Sequence, residues 1–239
     1  MIGQHIYSRC LAGYFSKSGL NADSTTVTIS MNMFARMEQA KLVAKENGYI
    51  YVDTGAMYRA IALYMLQHNI TLSDESAVAE ACKDIDIELK YEDQTQQVYL
   101  NGTNVSAEIR KEEVGNAASV VSAYPTVRKT LLGLQQQIAA KENILMDGRD
   151  IGTCVLPNAQ LKIYLTASVH TRALRRYKEL QEKGTTCVLE EIEKDIEDRD
   201  YRDMHREIAP LKVADDAEVI DSSDMTIDEV VEKILSLAK

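Results

Sequence analysis

Arginine and aspartate recur together in this chain at spacings suited to holding a small polyanion. Arg149 stands inside Asp147-Gly148-Arg149-Asp150, Arg59 follows shortly after Asp53-Thr54-Gly55, and Arg199, Arg202 and Arg206 alternate with Asp200 and Asp203. Arg172, Arg175 and Arg176 lie at helical spacings that partly share a face. A guanidinium stays charged and grips phosphate oxygens through a planar fork, so this set is suited to positioning phosphate groups. The rest of the chain makes the concentration informative, because the net charge is −10. An acidic protein that gathers its arginines in one part of its sequence is poorly matched to nucleic acid or to an anionic membrane. An anionic small molecule fits it better.

Other chemistries find less support. The four cysteines (Cys10, Cys82, Cys154, Cys187) form no CxxC pair, and the four histidines (His5, His68, His170, His205) form no constellation. No protein-held metal site is expected, and unpaired cysteines suit a reducing cytoplasm. Apolar runs such as Ile61–Leu66 and Ile163–Leu165 are too short for a membrane helix. The N-terminal stretch has neither the basic start nor the cleavage site of a signal peptide, and none is expected.

The elements that must position these residues alternate between two periods. Tyr49–Val52 is β-rich, ends in Asp53-Thr54-Gly55 and leads into helical spacing over 56–68, which is the strand–loop–helix unit of a parallel sheet. Helical patterns are also expected over 33–47, with Gly48 as the residue past the end, and over 76–83, 112–123, 125–141, 169–183, 189–198 and 226–237. Pro125 suits a first helical turn. Strands are expected over 144–146, 161–166 and 218–220, with an irregular stretch after residue 198. Residues 85–110 differ: three short strand patterns, with Asn101-Gly102 offering a hairpin turn, predict a small antiparallel insert. Residues 1–30 show no persuasive period and are expected to form a loose extension. The expected fold class is therefore α/β, a doubly wound parallel sheet with a small antiparallel β insert and a helical lid. A fold of that kind names no function by itself.

Four stretches carry the argument further. Asp53-Thr54-Gly55-Ala56-Met57-Tyr58-Arg59-Ala60, Asp147-Gly148-Arg149-Asp150-Ile151-Gly152, Arg199–Arg206 with Ala209-Pro210-Leu211, and Asp216–Ser223 resemble, in order, the bacterial cytidylate kinases. The likeness runs from about Lys41 to the C-terminus. It implies a P-loop kinase-like domain over 31–239, with the lid at about 169–206, that passes the γ-phosphoryl of ATP to CMP or dCMP. It further implies Mg²⁺ with ATP as co-substrate, nucleotides as the only partners, and a cytoplasmic monomer. Under this resemblance Arg59, Arg149 and Arg206 hold the acceptor phosphate. Asp150, Ser119 and Arg128 read cytosine, while Arg199 and Asp203 reach the sugar. Arg172, Arg175 and Arg176 belong to the lid over ATP. Thr54 joins the substrate site, Asp147 faces Mg²⁺ or the phosphates, and Arg149, Arg206 and Arg176 act on the transferred group.

One departure stands against this set. The family opens with a strand and a Gly-rich loop ending in Gly-Lys-Ser/Thr, whose backbone amides cradle the ATP phosphates. Here no glycine occurs between Leu20 and Asn47; Arg36 falls where the lysine belongs and Met37 where the hydroxyl belongs. Side chains at the glycine positions block close approach to phosphate. Gly13-Tyr14-Phe15-Ser16-Lys17-Ser18-Gly19 has the wrong spacing to substitute. The alternatives are a catalytically inactive CMP-binding relic, a frameshift that has replaced the true loop, and a kinase for another monophosphate such as UMP or AMP.

Overall fold

The computed structural model describes residues 25–31, 37–92 and 95–238. Eight strands and eight α-helices occur among them. In chain order the strands are β1 (Thr26–Met31), β2 (Ile50–Asp53), β3 (Ile87–Glu92), β4 (Thr95–Leu100), β5 (Thr103–Asn104), β6 (Ile144–Gly148), β7 (Leu161–Thr166) and β8 (Glu218–Asp221). The helices are α1 (Met37–Asn47), α2 (Thr54–Gln67), α3 (Glu75–Ala81), α4 (Glu112–Val121), α5 (Pro125–Ala139), α6 (Val169–Glu182), α7 (Leu189–His205) and α8 (Ile227–Leu237).

Five strands form one parallel sheet in the order β2-β6-β1-β7-β8. Alternation along β6 shows how it is buried. Ile144 and Met146 face one core with Met57, Ile61, Val114 and Leu131 from α2, α4 and α5. Leu145 faces the other, with Val43 of α1, Val230 and Ile234 of α8, and Val27 and Ile29 of β1. Helices thus cover both faces, and the doubly wound expectation holds. Each such side chain, fully buried, contributes roughly 1.5–3 kcal/mol.

The chain passes from β1 to the edge strand β2, returns through β6, and then continues on the far side of β1 to β7 and β8. The C-terminal ends of β1 and β6 therefore lie where the winding reverses, the place at which open α/β sheets bind ligands. The sequence after each of those ends is what matters for function.

Two expectations are corrected. Residues 26–30, expected in a loose extension, form most of the central strand β1, buried along its whole length. Their Thr-Val-Thr-Ile-Ser alternation puts hydroxyls on an interior face, where Thr28 is fully buried and close to Gly152. The irregular stretch expected after residue 198 is instead the last two turns of α7. Its apolar period gives out after Ile196, and the buried positions that follow are Asp200 and Asp203, held by ion pairs. Charge on a buried face hid the helix.

The insert is the antiparallel sheet β3-β4-β5. Asn101 and Gly102 make its second turn with φ of 47° and 80°, the left-handed pair that a two-residue hairpin requires. Gly48 closes α1 at φ 68° as expected, and Pro125 opens α5.

Candidate functional site

Strand β6 delivers the centre of the site. Asp147 is the last residue but one of this strand, and Thr54 Oγ1 at the start of α2 donates to the Asp147 carbonyl at 2.7 Å. A Cβ on Gly148 would come within 2.5 Å of that hydroxyl and 2.8 Å of Ile151 Cδ1, so only glycine lets the chain turn here. The turn points Arg149 and Asp150 to the carboxyl end of the sheet. Asp150 precedes a π-helical turn (Ile151–Val155), and its side chain caps nothing there. It pairs instead with Arg128 of α5, and Arg206 Nη2 lies 3.7 Å from its other oxygen.

Helix α7 supplies the facing wall. Arg199 and Asp203 share one side of it. Asp203 accepts from Arg149 Nε at 3.0 Å and lies 3.8 Å from Arg206 Nη1. Arg206 Nε donates to the Ala209 carbonyl at 2.7 Å, and Ala209 takes a positive φ of 49° to present it. Arg199 differs. Among the described residues no carboxylate lies within ion-pair distance of it, and its buried Nε has no hydrogen-bond partner. Burial first, then the neighbouring Arg149, lowers its pKa to about 10. Arg206 is lowered as well, by burial and then by Arg128. Its Nη2, like Arg59 Nε, is buried without a hydrogen-bond partner. A group of buried guanidiniums with unspent donors is a site for an anion.

The third wall is β2–α2. Asp53 is 2% exposed and caps α2 by accepting from Ala56 N at 2.9 Å. Its other carboxylate oxygen receives both Arg59 and Arg110, each at 3.1 Å. Burial alone would raise the Asp53 pKa, but the two guanidiniums bring it below the ordinary value. Asp147 lies beside it in the parallel register. Burial and then Asp53 push Asp147 up to about 7, even though Tyr51 Oη donates to it at 2.8 Å. The Tyr51 hydroxyl is raised far above its usual value by the same burial and the same two carboxylates.

These walls enclose a cleft of about 650 Å³. Thr54, Arg59, Ser119, Arg128, Asp147, Arg149, Asp150, Arg175, Arg176, Arg199, Asp203 and Arg206 all line it, so twelve of the thirteen residues expected at the site meet in one place. Arg172 does not. It is 3% exposed, donates to the Ala167 carbonyl at 2.8 Å and pairs with Asp200 at 2.7 Å, pinning α6 to α7. Its place in the lid is structural: the i, i+3 and i+4 spacing lets all three arginines share a face, but Asp200 of α7 and the Ala167 carbonyl claim Arg172. Eight cations line the cleft against six carboxylates. A chain of net charge −10 has turned a positive surface inward.

Sequence reasoning passed over Asp53, Arg110, Tyr51 and Gln96. For Asp53 the signal was present, since an aspartate directly before a helix is a cap and Arg59 lies within reach along that helix. The others act through folding that no local pattern announces. The segment after β1, which includes Arg36, lies outside the described residues, as does the Gly13–Gly19 stretch. Met31 at the end of β1 lines the cleft. Among the described residues no helix is long and apolar enough to cross a membrane.

Comparison with known proteins identifies the family. The family model described as cytidylate kinase matches residues 38–239. A cytidylate kinase of Ligilactobacillus salivarius is 51% identical over 198 residues, covering 83% of this chain and 88% of the relative. One from Lactobacillus johnsonii is 50% identical over 198 residues, covering 83% and 86%. One from Cytophaga hutchinsonii is 48% identical over 201 residues, again covering 83% and 86%.

Proposed function

The chain belongs to the cytidylate kinase family, and from that premise we propose that it transfers the γ-phosphoryl of ATP to CMP or dCMP. The products are ADP and CDP or dCDP. The observation that carries this reading is the juxtaposition of two subsites in one cleft: unspent guanidiniums at Arg59, Arg199 and Arg206, and the buried Asp150–Arg128 pair beside Ser119. The first suits a phosphate. The second offers a carboxylate next to donors, the complement of cytosine with its exocyclic amine and ring acceptors.

In this reading Arg59, Arg149 and Arg206 clamp the acceptor phosphate so that one of its oxygens faces the γ-phosphorus in line. Phosphoryl transfer asks little covalent chemistry of a protein, so position and charge neutralisation do most of the work. Arg149 and Arg206, joined by Arg176 from the lid, neutralise charge spreading over the transferred oxygens. Asp203 holds Arg149 while it does so, and with Arg199 borders the sugar. Thr54 fixes the backbone at Asp147. Arg175 and Arg176 on α6 cover the ATP side and exclude water.

Mg²⁺ belongs to the ATP co-substrate. Asp147 fits it: a buried carboxylate beside a second one is relieved of both burdens by a cation. When bound, Mg²⁺ would neutralise phosphate charge. The protein is taken to act as a cytoplasmic monomer.

A second reading rests on one observation. Residues 32–36, Asn-Met-Phe-Ala-Arg, contain no glycine, and the family match starts only at residue 38. In that reading the chain binds CMP without transferring phosphate. A coupled ADP-release assay with ATP, Mg²⁺ and CMP, run beside calorimetric titration with CMP, separates the two. Turnover supports the kinase; CMP binding without turnover supports the relic; no CMP binding removes both. Faster turnover with UMP or AMP than with CMP or dCMP would reassign the acceptor.

A further inference from the structure

The antiparallel insert touches the site through the free edge of β2. As the outermost strand of the parallel sheet, β2 has backbone groups on one side that no strand among the described residues pairs. Side chains from the insert take them. Tyr91 Oη donates to the Tyr51 carbonyl at 3.1 Å. The Gln96 amide spans Asp53, with Oε1 accepting from the Asp53 N–H at 3.0 Å and Nε2 donating to its carbonyl at 3.4 Å. A primary amide here does what a neighbouring peptide would do. Arg110, in the 3₁₀ turn that ends the insert, then reaches the Asp53 side chain itself.

That last contact has an electrostatic consequence. An Asp53–Arg59 pair alone is neutral and would present little attraction to an anion. With Arg110 on the same carboxylate oxygen, Asp53, Arg59 and Arg110 together carry one net positive charge, set beside the neighbouring Asp147. Arg59 is folded close over the start of its helix. A Cβ on Gly55 would lie 3.1 Å from Asp53 Oδ1 and 3.5 Å from Arg59 Nη1, so the pair packs directly against the Gly55 backbone. Arg59 borders the cleft; Arg110, with a side chain 45% exposed, does not line it but borders an adjoining cavity of about 990 Å³ together with Arg59, Arg199 and Arg206.

We propose that the insert arms Arg59 for the acceptor phosphate: Gln96 fixes the Asp53 backbone, and Arg110 offsets the Asp53 charge so that the cluster around Arg59 stays net positive. Both are positioning residues. This rests on the proposed CMP site, and it adds a role for the insert that the site itself does not require.

The test is calorimetric, on the full chain, with CMP and with cytidine, which lacks the phosphate. Arg110→Gln should weaken CMP roughly five- to tenfold and leave cytidine unchanged, the loss expected from removing one nearby partly solvated charge. Arg110→Lys should restore most of it. In an Arg59→Ala background, Arg110→Gln should cost less than about twofold, because the residue it acts through is gone. Gln96→Leu should also weaken CMP selectively. Equal losses for CMP and cytidine would reduce the insert to a structural prop and overturn the proposal. So would an undiminished effect in the Arg59→Ala background, which would place Arg110 directly on the phosphate. If the unaltered chain binds no CMP, the functional reading fails and takes this inference with it. A chain that binds CMP while ignoring Arg110→Gln sinks the inference alone.

Discussion

The two sides of the cleft hold their arginines in different ways. On the acceptor side the partners come from distant parts of the chain: Arg128 of α5 meets Asp150 after β6, Arg149 meets Asp203 of α7, and Arg110 of the insert meets Asp53 of β2. Those carboxylates are all buried. On the lid side Arg176 pairs at 3.0 Å with Glu179, three residues along the same helix. Glu179 is itself shared with Lys183 at 2.5 Å and is well exposed. Arg175 donates to the Ser222 carbonyl at 2.6 Å. Cross-linked guanidiniums in a dry wall are fixed before the ligand arrives. The carboxylate partner of Arg176 travels with the same helix, as a closing lid requires, whereas Arg175 is tied to the segment after β8. The acceptor wall supplies recognition, and the lid supplies closure.

The largest effect should come from breaking the acceptor wall at its centre. Arg149→Ala removes a donor aimed into the cleft and strands Asp203. It should cost about 2–4 kcal/mol of transition-state stabilisation, read as a fall in kcat/KM of roughly thirtyfold to a thousandfold in the ADP-release assay. An unchanged rate would take Arg149 out of the site. Asp150→Asn comes next. It keeps the shape but gives up the charge that holds Arg128 and approaches Arg206, so CMP recognition should weaken by about 1–3 kcal/mol. The KM for CMP should rise about tenfold or more, with the KM for ATP little changed. A larger effect on ATP would mean that the two sides are wrongly assigned.

The sequence made these two sides unequally legible. Short motifs such as Asp147–Asp150 and Asp53–Arg59 carry their chemistry locally, because a strand end, a tight turn and a cap are fixed by a few neighbouring residues. They led directly to the acceptor wall. Arg172 misled because helical spacing tells which residues share a face and leaves open which face meets the neighbouring helix; Asp200, about three turns into α7, decided that. Strand β1 was missed because its hydroxyls lie on a buried face, where alternation normally signals solvent. Gln96 and Arg110 were invisible for a deeper reason. They act across the edge of a strand more than forty residues away in sequence, a contact that only the folded topology creates.

Asp147 tests how far the acceptor side sacrifices stability for function. Its folded pKa of about 7 lies above the ordinary 3.8, so folding favours its protonated form. That contribution is fully present below the unfolded value and is lost as pH rises through about 7. At pH 8 the ligand-free protein therefore carries a buried charge at a cost of at most about 4 kcal/mol, the ceiling set by the shift. Asp147→Asn should raise stability at pH 8 by about 1–2 kcal/mol in urea unfolding, since the neighbours relax around it. At pH 4 the gain should nearly vanish. Activity should fall. Equal stabilisation at both pH values would refute the electrostatic origin.

The smallest effect belongs to the lid. Glu179→Gln releases Arg176 and Lys183 from a carboxylate that is largely in water, where such pairs contribute little. If the lid closes by exchanging Glu179 for ATP phosphate on Arg176, freeing that arginine should lower the KM for ATP by less than about threefold and leave the KM for CMP unchanged. Raising ionic strength should shrink the difference further, because salt screens an exposed pair far more than a buried one. The Arg149–Asp203 pair, buried in the acceptor wall, should resist the same salt. A strong effect of Glu179→Gln on CMP would mean that the lid helix takes part in recognition, and the division between a fixed wall and a travelling lid would have to be redrawn.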